Sequence, residues 1–173
     1  MQHSPAIYSG SLFGNTFTAE FPEEPNLILL RGGFKFRLGK PFQFTFCLDA
    51  ETYKPIYPST KEKLNYILCT ITVPEKFVTN LISSPSILWP IIPQTGPGSW
   101  SSITHDYMYT YDVLKPNGEP FNKKEIDQIF HIGILAEGMN KFKAYMSYRA
   151  LRAVGVHAWR DAKKEAEAES ANQ

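Results

Sequence analysis

The 173-residue chain has 18 Lys and Arg against 17 Asp and Glu, so its formal net charge is only +1. This balance argues against nucleic acid as the main partner, because phosphate-binding surfaces need an excess of basic residues. At 43% hydrophobic and 14% aromatic residues, the composition is that of an ordered domain with a buried core. No apolar run reaches the ~20 residues of a membrane-spanning helix, and the first residues lack the basic start and apolar core of a secretory signal. We therefore expect no signal peptide and no transmembrane segment.

The first part of the chain, residues 5–73, has the pattern of short β-strands. Residues 34–38 and 42–46 alternate apolar and polar side chains, and residues 64–73 are rich in β-branched and aromatic types. Gly and Pro residues between these runs predict turns. This half is therefore predicted to form a small antiparallel β-sheet. Cys47 and Cys69 fall inside strand-like runs and are predicted to be buried thiols.

Residues 74–159 have a helical pattern instead. Asn122 and Glu125 are spaced as a capping box, and the apolar residues that follow share one helix face up to Gly138. A second helix is predicted from about Lys141 to Val154, ending near Gly155. The whole is predicted to be a single α+β domain over residues 1–159, in which the sheet packs on two or three main helices. Residues 160–173 are predicted to be a charged, solvated tail that would become ordered against a partner surface.

A series of short motifs runs in fixed order through residues 73–159. They are V-P-E-K-F-V-T at 73–79, H-D-Y-M-Y at 105–109, I-D-Q-I-F at 126–130 and Y-R-A-L-R-A-V-G-V-H-A-W at 148–159. The series resembles the signature of an uncharacterised domain family common in tailed bacteriophages and prophages. That signature reads V-P-x-G-F-x-T-D, then H-D-x-x-Y, A-D-x-x-F and finally A-V-R-x-x-G-x-x-x-W. The resemblance implies a phage-related protein and, by itself, no activity.

The H-D-x-x-Y motif is also similar to the catalytic core of phospholipase A2. In that superfamily the His is a general base that activates water, the adjacent Asp ligates calcium, and an Asp on a second helix orients the imidazole. The resemblance implies that His105 is the base, with Asp127 and Tyr109 completing the catalytic set. It implies that Asp106 ligates Ca²⁺, with carbonyl oxygens from the loop at Gly96 and Gly98. Such roles suit an imidazole that titrates near neutral pH and a hard cation that prefers oxygen ligands.

The chain departs from both patterns at specific positions. The Thr-Asp of the phage family is Thr79-Asn80 here, which removes a carboxylate, and no cysteine flanks His105 as in the secreted phospholipases. Other interpretations of the same residues stay open. His105, Asp106 and Asp127 could form a buried structural cluster, or a transition-metal site together with His131. Ser83 or Ser84 could instead act as a nucleophile with His105 and Asp127.

Two functions follow from these motifs. The first is a bacteriophage virion or assembly protein, a tail or baseplate component, found in the virion and in the host cytoplasm during assembly and bound to other phage structural proteins. The alternative is a calcium-dependent hydrolase of lipids or other esters, with phospholipid as a partner and His105 as the base. One further feature fits neither directly: the second helix combines basic and aromatic residues, which predicts an amphipathic helix or a surface for an acidic partner or a membrane. These residues are Lys141, Phe142, Lys143, Tyr145, Tyr148, Arg149 and Arg152.

Overall fold

The computed structural model describes residues 6–12, 15–31, 35–57, 65–81 and 98–170, and within them it contains seven strands and three helices. The strands precede the helices, so the predicted α+β class is confirmed. The strands are β1 (Ala6–Leu12), β2 (Asn15–Phe21), β3 (Leu27–Leu29), β4 (Phe36–Leu38), β5 (Phe42–Asp49), β6 (Tyr66–Val73) and β7 (Val78–Thr79). The helices are α1 (Ser99–Thr110), α2 (Lys123–Ala136) and α3 (Lys141–Ser170).

The strands form two antiparallel sheets rather than the one sheet that the sequence predicted. A four-stranded sheet has the order β1-β2-β5-β6, and a three-stranded sheet has the order β3-β4-β7. In β5 the alternation places Phe42, Phe44 and Phe46 inside and Gln43 outside. The smaller sheet places β7 beside β4, so residues 78–79 form a strand although they lie in the part of the chain predicted to be helical. This second sheet therefore brings Thr79 to the helices.

The main core lies between the four-stranded sheet and the helices. Phe21 stacks on Phe44 with ring centroids 4.3 Å apart, and Trp100 of α1 meets Phe21 edge-on at 5.7 Å. Ile103 and Ile132 contribute the fully buried helix side of this core. Trp100 and Trp159 both pack against it, whereas Trp89 lies outside the described residues. Cys47 and Cys69 are buried free thiols, as predicted, and burial raises the pKa of Cys69 to about 11.

α2 begins and ends where its sequence signals place it. Asn122 accepts the backbone N–H of Glu125, and the Glu125 carboxylate accepts that of Asn122, which completes the predicted capping box. Gly138, with φ +85°, follows the last turn as predicted. None of the helices in the described part of the chain is both long and apolar enough to cross a membrane.

α3 does not end at Gly155, so this prediction was wrong. The helix continues to Ser170 and has 30 residues, about 45 Å at 1.5 Å per residue. Gly155 is present for a different reason, because a Cβ there would lie 3.1 Å from Lys123 Nζ and 3.2 Å from Tyr109 Oη. Past Trp159, the described side chains Arg160, Asp161 and Lys164 are all exposed. Residues 160–170 of the predicted tail are thus the helical end of α3.

Candidate functional site

The first turn of α1 is held by the carboxylate of Glu137, the residue that caps the end of α2. Glu137 accepts the backbone N–H groups of Gly98 at 2.8 Å, Trp100 at 3.2 Å and Ser101 at 2.8 Å, together with the hydroxyl of Ser101. A carboxylate is favourable here because the N-terminus of a helix carries unpaired N–H groups and a partial positive charge. The contact fixes α1, which carries His105, relative to α2, which carries Asp127.

His105 and Asp127 meet inside the protein. The Nε2 atom of His105 lies 3.4 Å from Oδ1 of Asp127, and their side chains are only 3% and 0% exposed. The imidazole also contacts the rings of Tyr109 at 3.9 Å and Phe130 at 5.2 Å between centroids. An ionised carboxylate is a hydrogen-bond acceptor only, so this contact assigns the proton to Nε2 and the lone pair to Nδ1.

The same carboxylate receives three further donors. The hydroxyl of Tyr109 donates to Oδ1 at 2.5 Å, while Lys123 Nζ and Arg152 Nη1 each donate to Oδ2 at 2.8 Å. Burial opposes ionisation of Asp127, but the hydrogen bonds from His105, Lys123 and Tyr109 hold its pKa well below the usual range. Burial, followed by the neighbouring Asp127 charge, raises the pKa of Tyr109. Asp127 is therefore an anion and Tyr109 a neutral donor at physiological pH.

Asp106 lies beside His105 in the chain but is held by a different element. The hydroxyl of Thr79 on β7 donates to Oδ2 of Asp106 at 2.6 Å and accepts the backbone N–H of Leu81 at 3.0 Å. Leu81 has φ +55°, an uncommon conformation for a bulky residue and one often found at functional positions. The smaller sheet therefore sets the direction of Asp106, while Asp127 and Phe130 of α2 contact His105.

The buried His105 side chain, only 3% exposed, has the groups that a general base and its orienting partner require. Asp127 engages Nε2, and no residue that the structure describes forms a hydrogen bond with Nδ1. A lone pair at Nδ1 can accept a proton from water, and the imidazolium so formed would be stabilised by the adjacent carboxylate. The predicted set of His105, Asp127 and Tyr109 is thus brought together.

The predicted calcium ligands are placed less favourably. The carbonyl oxygen of Gly98 accepts both the backbone N–H of Ser102 at 3.0 Å and its hydroxyl at 2.7 Å, and Gly96 lies outside the described residues. Asp106 is the single carboxylate of the set. Ca²⁺ takes roughly six to eight oxygen ligands, which include water molecules. Calcium ligation at Asp106 therefore stays a prediction.

The structure bears on the predicted transition-metal site but not on the predicted serine nucleophile. Within the described part of the chain, no three His, Cys, Asp or Glu side chains are grouped as metal ligands. His131 is instead engaged elsewhere: its Nδ1 atom lies 2.8 Å from the hydroxyl of Tyr57, and its ring stacks on Tyr148 at 5.1 Å. The transition-metal site with His131 is therefore not formed. Ser83 and Ser84 lie outside the described residues, so their proposed nucleophilic role remains a prediction.

Four residues of the site were not assigned to it from the sequence. They are Thr79, Lys123, Arg152 and Glu137. Lys123 could have been found, because it stands four residues before Asp127 on one helix and such pairs face each other. Arg152 and Thr79 come from elements distant in the chain, and their roles depend on tertiary packing.

Comparison with known families places most of this site within the domain of one family. Residues 59–151 match the family described as "Protein of unknown function (DUF1353)". The chain belongs to this family. The DUF1353 region spans β6, β7, α1, α2 and part of α3, and includes Thr79, His105, Asp106, Lys123 and Asp127, while Arg152 follows its last matched residue. No curated protein and no solved structure matches the chain.

Proposed function

We propose that the chain is a hydrolase that cleaves carboxylic esters, including those of phospholipids, by general-base activation of water at His105. The observation that carries the proposal is the contact between His105 Nε2 and Asp127 Oδ1, which leaves a lone pair on Nδ1. The likeness of the H-D-x-x-Y motif to the phospholipase A2 core supports a lipid ester as substrate. Tyr109 supports the same assignment, since it keeps Asp127 oriented from the next turn of α1.

The proposed reaction is a direct attack by water. Nδ1 of His105 accepts a proton as the water oxygen bonds to the ester carbonyl carbon, which becomes tetrahedral. The bond to the alkoxide leaving group then breaks, and the proton on Nδ1 passes to that oxygen. The products are a carboxylic acid and an alcohol. Asp127 stabilises the imidazolium between these two transfers, and general-base catalysis of this kind contributes roughly 10²–10⁴-fold to a rate.

The direct test is hydrolysis of mixed phospholipid vesicles and of a soluble ester by purified protein, each with added Ca²⁺ and with chelator. We expect His105→Gln to reduce fatty acid release by about 100-fold or more. His131→Gln is the matched control, because it alters a histidine of the neighbouring helix that does not contact Asp127. Equal release by the wild type and His105→Gln would overturn the proposal.

A second candidate is a bacteriophage virion or assembly protein, a tail or baseplate component in which the His105 cluster is structural. Two features support it: the resemblance to a domain family common in tailed phages, and the helical end of α3, whose described side chains past Trp159 are exposed. Quantitative mass spectrometry of purified particles tests it. A constant ratio to the major capsid protein is expected, and absence from particles would contradict it.

A further inference from the structure

The first turns of α3 expose an unusual number of large apolar side chains. Phe142 is 72% exposed, Tyr145 46% and Met146 39%. With the exposed Arg149 they fall at i, i+3, i+4 and i+7, so they form one stripe along the helix. We call these four residues the outer face of α3.

The domain itself does not use this stripe. α3 packs on the rest of the protein through Ala144, Ser147 and Leu151, of which Ala144 and Leu151 join Phe130 and Ile134 in a small core cluster. These positions lie on the opposite side of the helix from the outer face. Contiguous exposed apolar side chains often mark an interaction site, whereas single scattered ones do not.

The charged side chains in this part of α3 all have one sign. Residues 141–160 contain five basic residues and no Asp or Glu, in a chain whose net charge is only +1. Lys141 and Lys143 are exposed and flank Phe142 on both sides of the helix. Arg149 lies over the ring of Tyr145, 5.8 Å from its centroid, and donates to the Tyr145 hydroxyl at 3.0 Å. Arg152 is the exception, because it pairs with Asp127.

We propose that the outer face of α3 docks on the surface of an anionic phospholipid bilayer. Phe142, Tyr145 and Met146 would enter the boundary between headgroups and acyl chains, while Lys141, Lys143 and Arg149 contact lipid phosphates. A bilayer fits this face better than an acidic protein does, because cations border Phe142 on both sides. A partner that covers Phe142 must present anionic groups to Lys141 and to Lys143 on either side of it. The phosphate layer of a bilayer presents such groups in every direction. The proposal does not depend on hydrolysis by His105.

The test is co-sedimentation of the full chain with vesicles of phosphatidylcholine, with or without phosphatidylglycerol. We expect binding to the anionic vesicles and little to pure phosphatidylcholine, and we expect it to weaken as salt rises because salt screens the charges. Each basic residue near such a surface contributes about fivefold to the partition coefficient, so the double variant Lys141→Gln/Lys143→Gln should bind roughly 25-fold more weakly. Phe142→Ser should also weaken binding, by about fivefold or more.

Two matched control variants test whether binding depends on the outer face of α3 or on any exposed apolar or basic residue. Leu114→Ser removes a 58% exposed apolar side chain elsewhere, and Lys124→Gln removes an exposed cation on α2; neither should change binding. His105→Gln should bind vesicles like the wild type, which separates docking from catalysis. A Phe142→Trp variant should show a blue-shifted emission on binding. Binding that is absent, that is equal for both lipids, or that occurs with polyglutamate but not with vesicles would overturn the proposal.

Discussion

Gly155 of α3 lies so close to Tyr109 of α1 that a Cβ at this position would be 3.2 Å from the tyrosine hydroxyl. The same Cβ would be 3.1 Å from Lys123 Nζ. Both neighbours donate hydrogen bonds to Asp127, the partner of His105. The absence of a side chain at 155 therefore allows α3 to close over the Asp127 cluster.

Replacing Gly155 with leucine should damage both stability and the site. The added side chain must displace Lys123 or Tyr109, and overpacking of this kind costs about 1–3 kcal/mol. Urea unfolding measures the loss, and Ala153→Leu is the matched control because position 153 is exposed on the same helix. A Gly155→Leu variant as stable as the Ala153→Leu protein would show that the close approach of Gly155 to Tyr109 and Lys123 does not affect stability.

Asp127→Asn should destabilise the fold strongly, because the amide leaves Lys123 and Arg152 without their common anion. Removing one partner of a buried ion pair costs roughly 3–5 kcal/mol, and the partial exposure of Arg152 places the expected value at about 3 kcal/mol. The folded-state pKa of Asp127 is depressed, so its stabilisation is present above about pH 4 and is lost as the pH falls further. The difference between wild type and variant in the free energy of unfolding should therefore shrink below pH 4. Asp161→Asn, at an exposed position of α3, should change little at any pH.

The helices could be predicted where their signals are local. The capping box of Asn122 and Glu125 and the left-handed Gly138 act within one turn of the chain, so spacing alone places both ends of α2. Gly155 misled the prediction because a helix-ending glycine and a close-packed glycine look the same in sequence. Only the positions of Tyr109 and Lys123, on other elements, distinguish them. The division of the strands into two sheets was missed for the same reason, since pairing is set by contacts far apart in the chain.

In the candidate site, too, the local arrangement could be predicted from the sequence, and the contacts between distant elements could not. His105 and Tyr109 stand four residues apart on one helix, so the H-D-x-x-Y spacing puts both on the face that meets Asp127. Asp106, one residue from His105, turns to another side and meets Thr79 instead. That contact, and the one between Arg152 and Asp127, depend on how β7 and α3 pack.

Glu137→Ala should loosen the start of α1. The substitution removes the acceptor of three backbone N–H groups and one hydroxyl, and we expect a loss of about 2–3 kcal/mol. Hydrogen exchange at the amide of Ser101 gives a local readout, which should become faster than in the wild type. Glu51→Ala, at an exposed position, is the matched control. Unchanged exchange at Ser101 would argue that the Glu137 contact does not hold α1 in place.

His131 should make the protein sensitive to mild acid. Burial lowers the pKa of its imidazole to about 4, against about 6.5 in an unfolded chain. Between these values the unfolded state binds more protons than the folded one, so the free energy of unfolding should fall as the pH drops from about 6.5 to 4, by at most about 3 kcal/mol. His131→Phe keeps a ring against Tyr148 but cannot be protonated; it should lose the hydrogen bond to Tyr57, about 1 kcal/mol at pH 7, and flatten this slope. Chemical denaturation at pH 7 and pH 5 measures both effects. An NMR titration that finds His131 protonating near pH 6.5 in the folded protein would contradict this account.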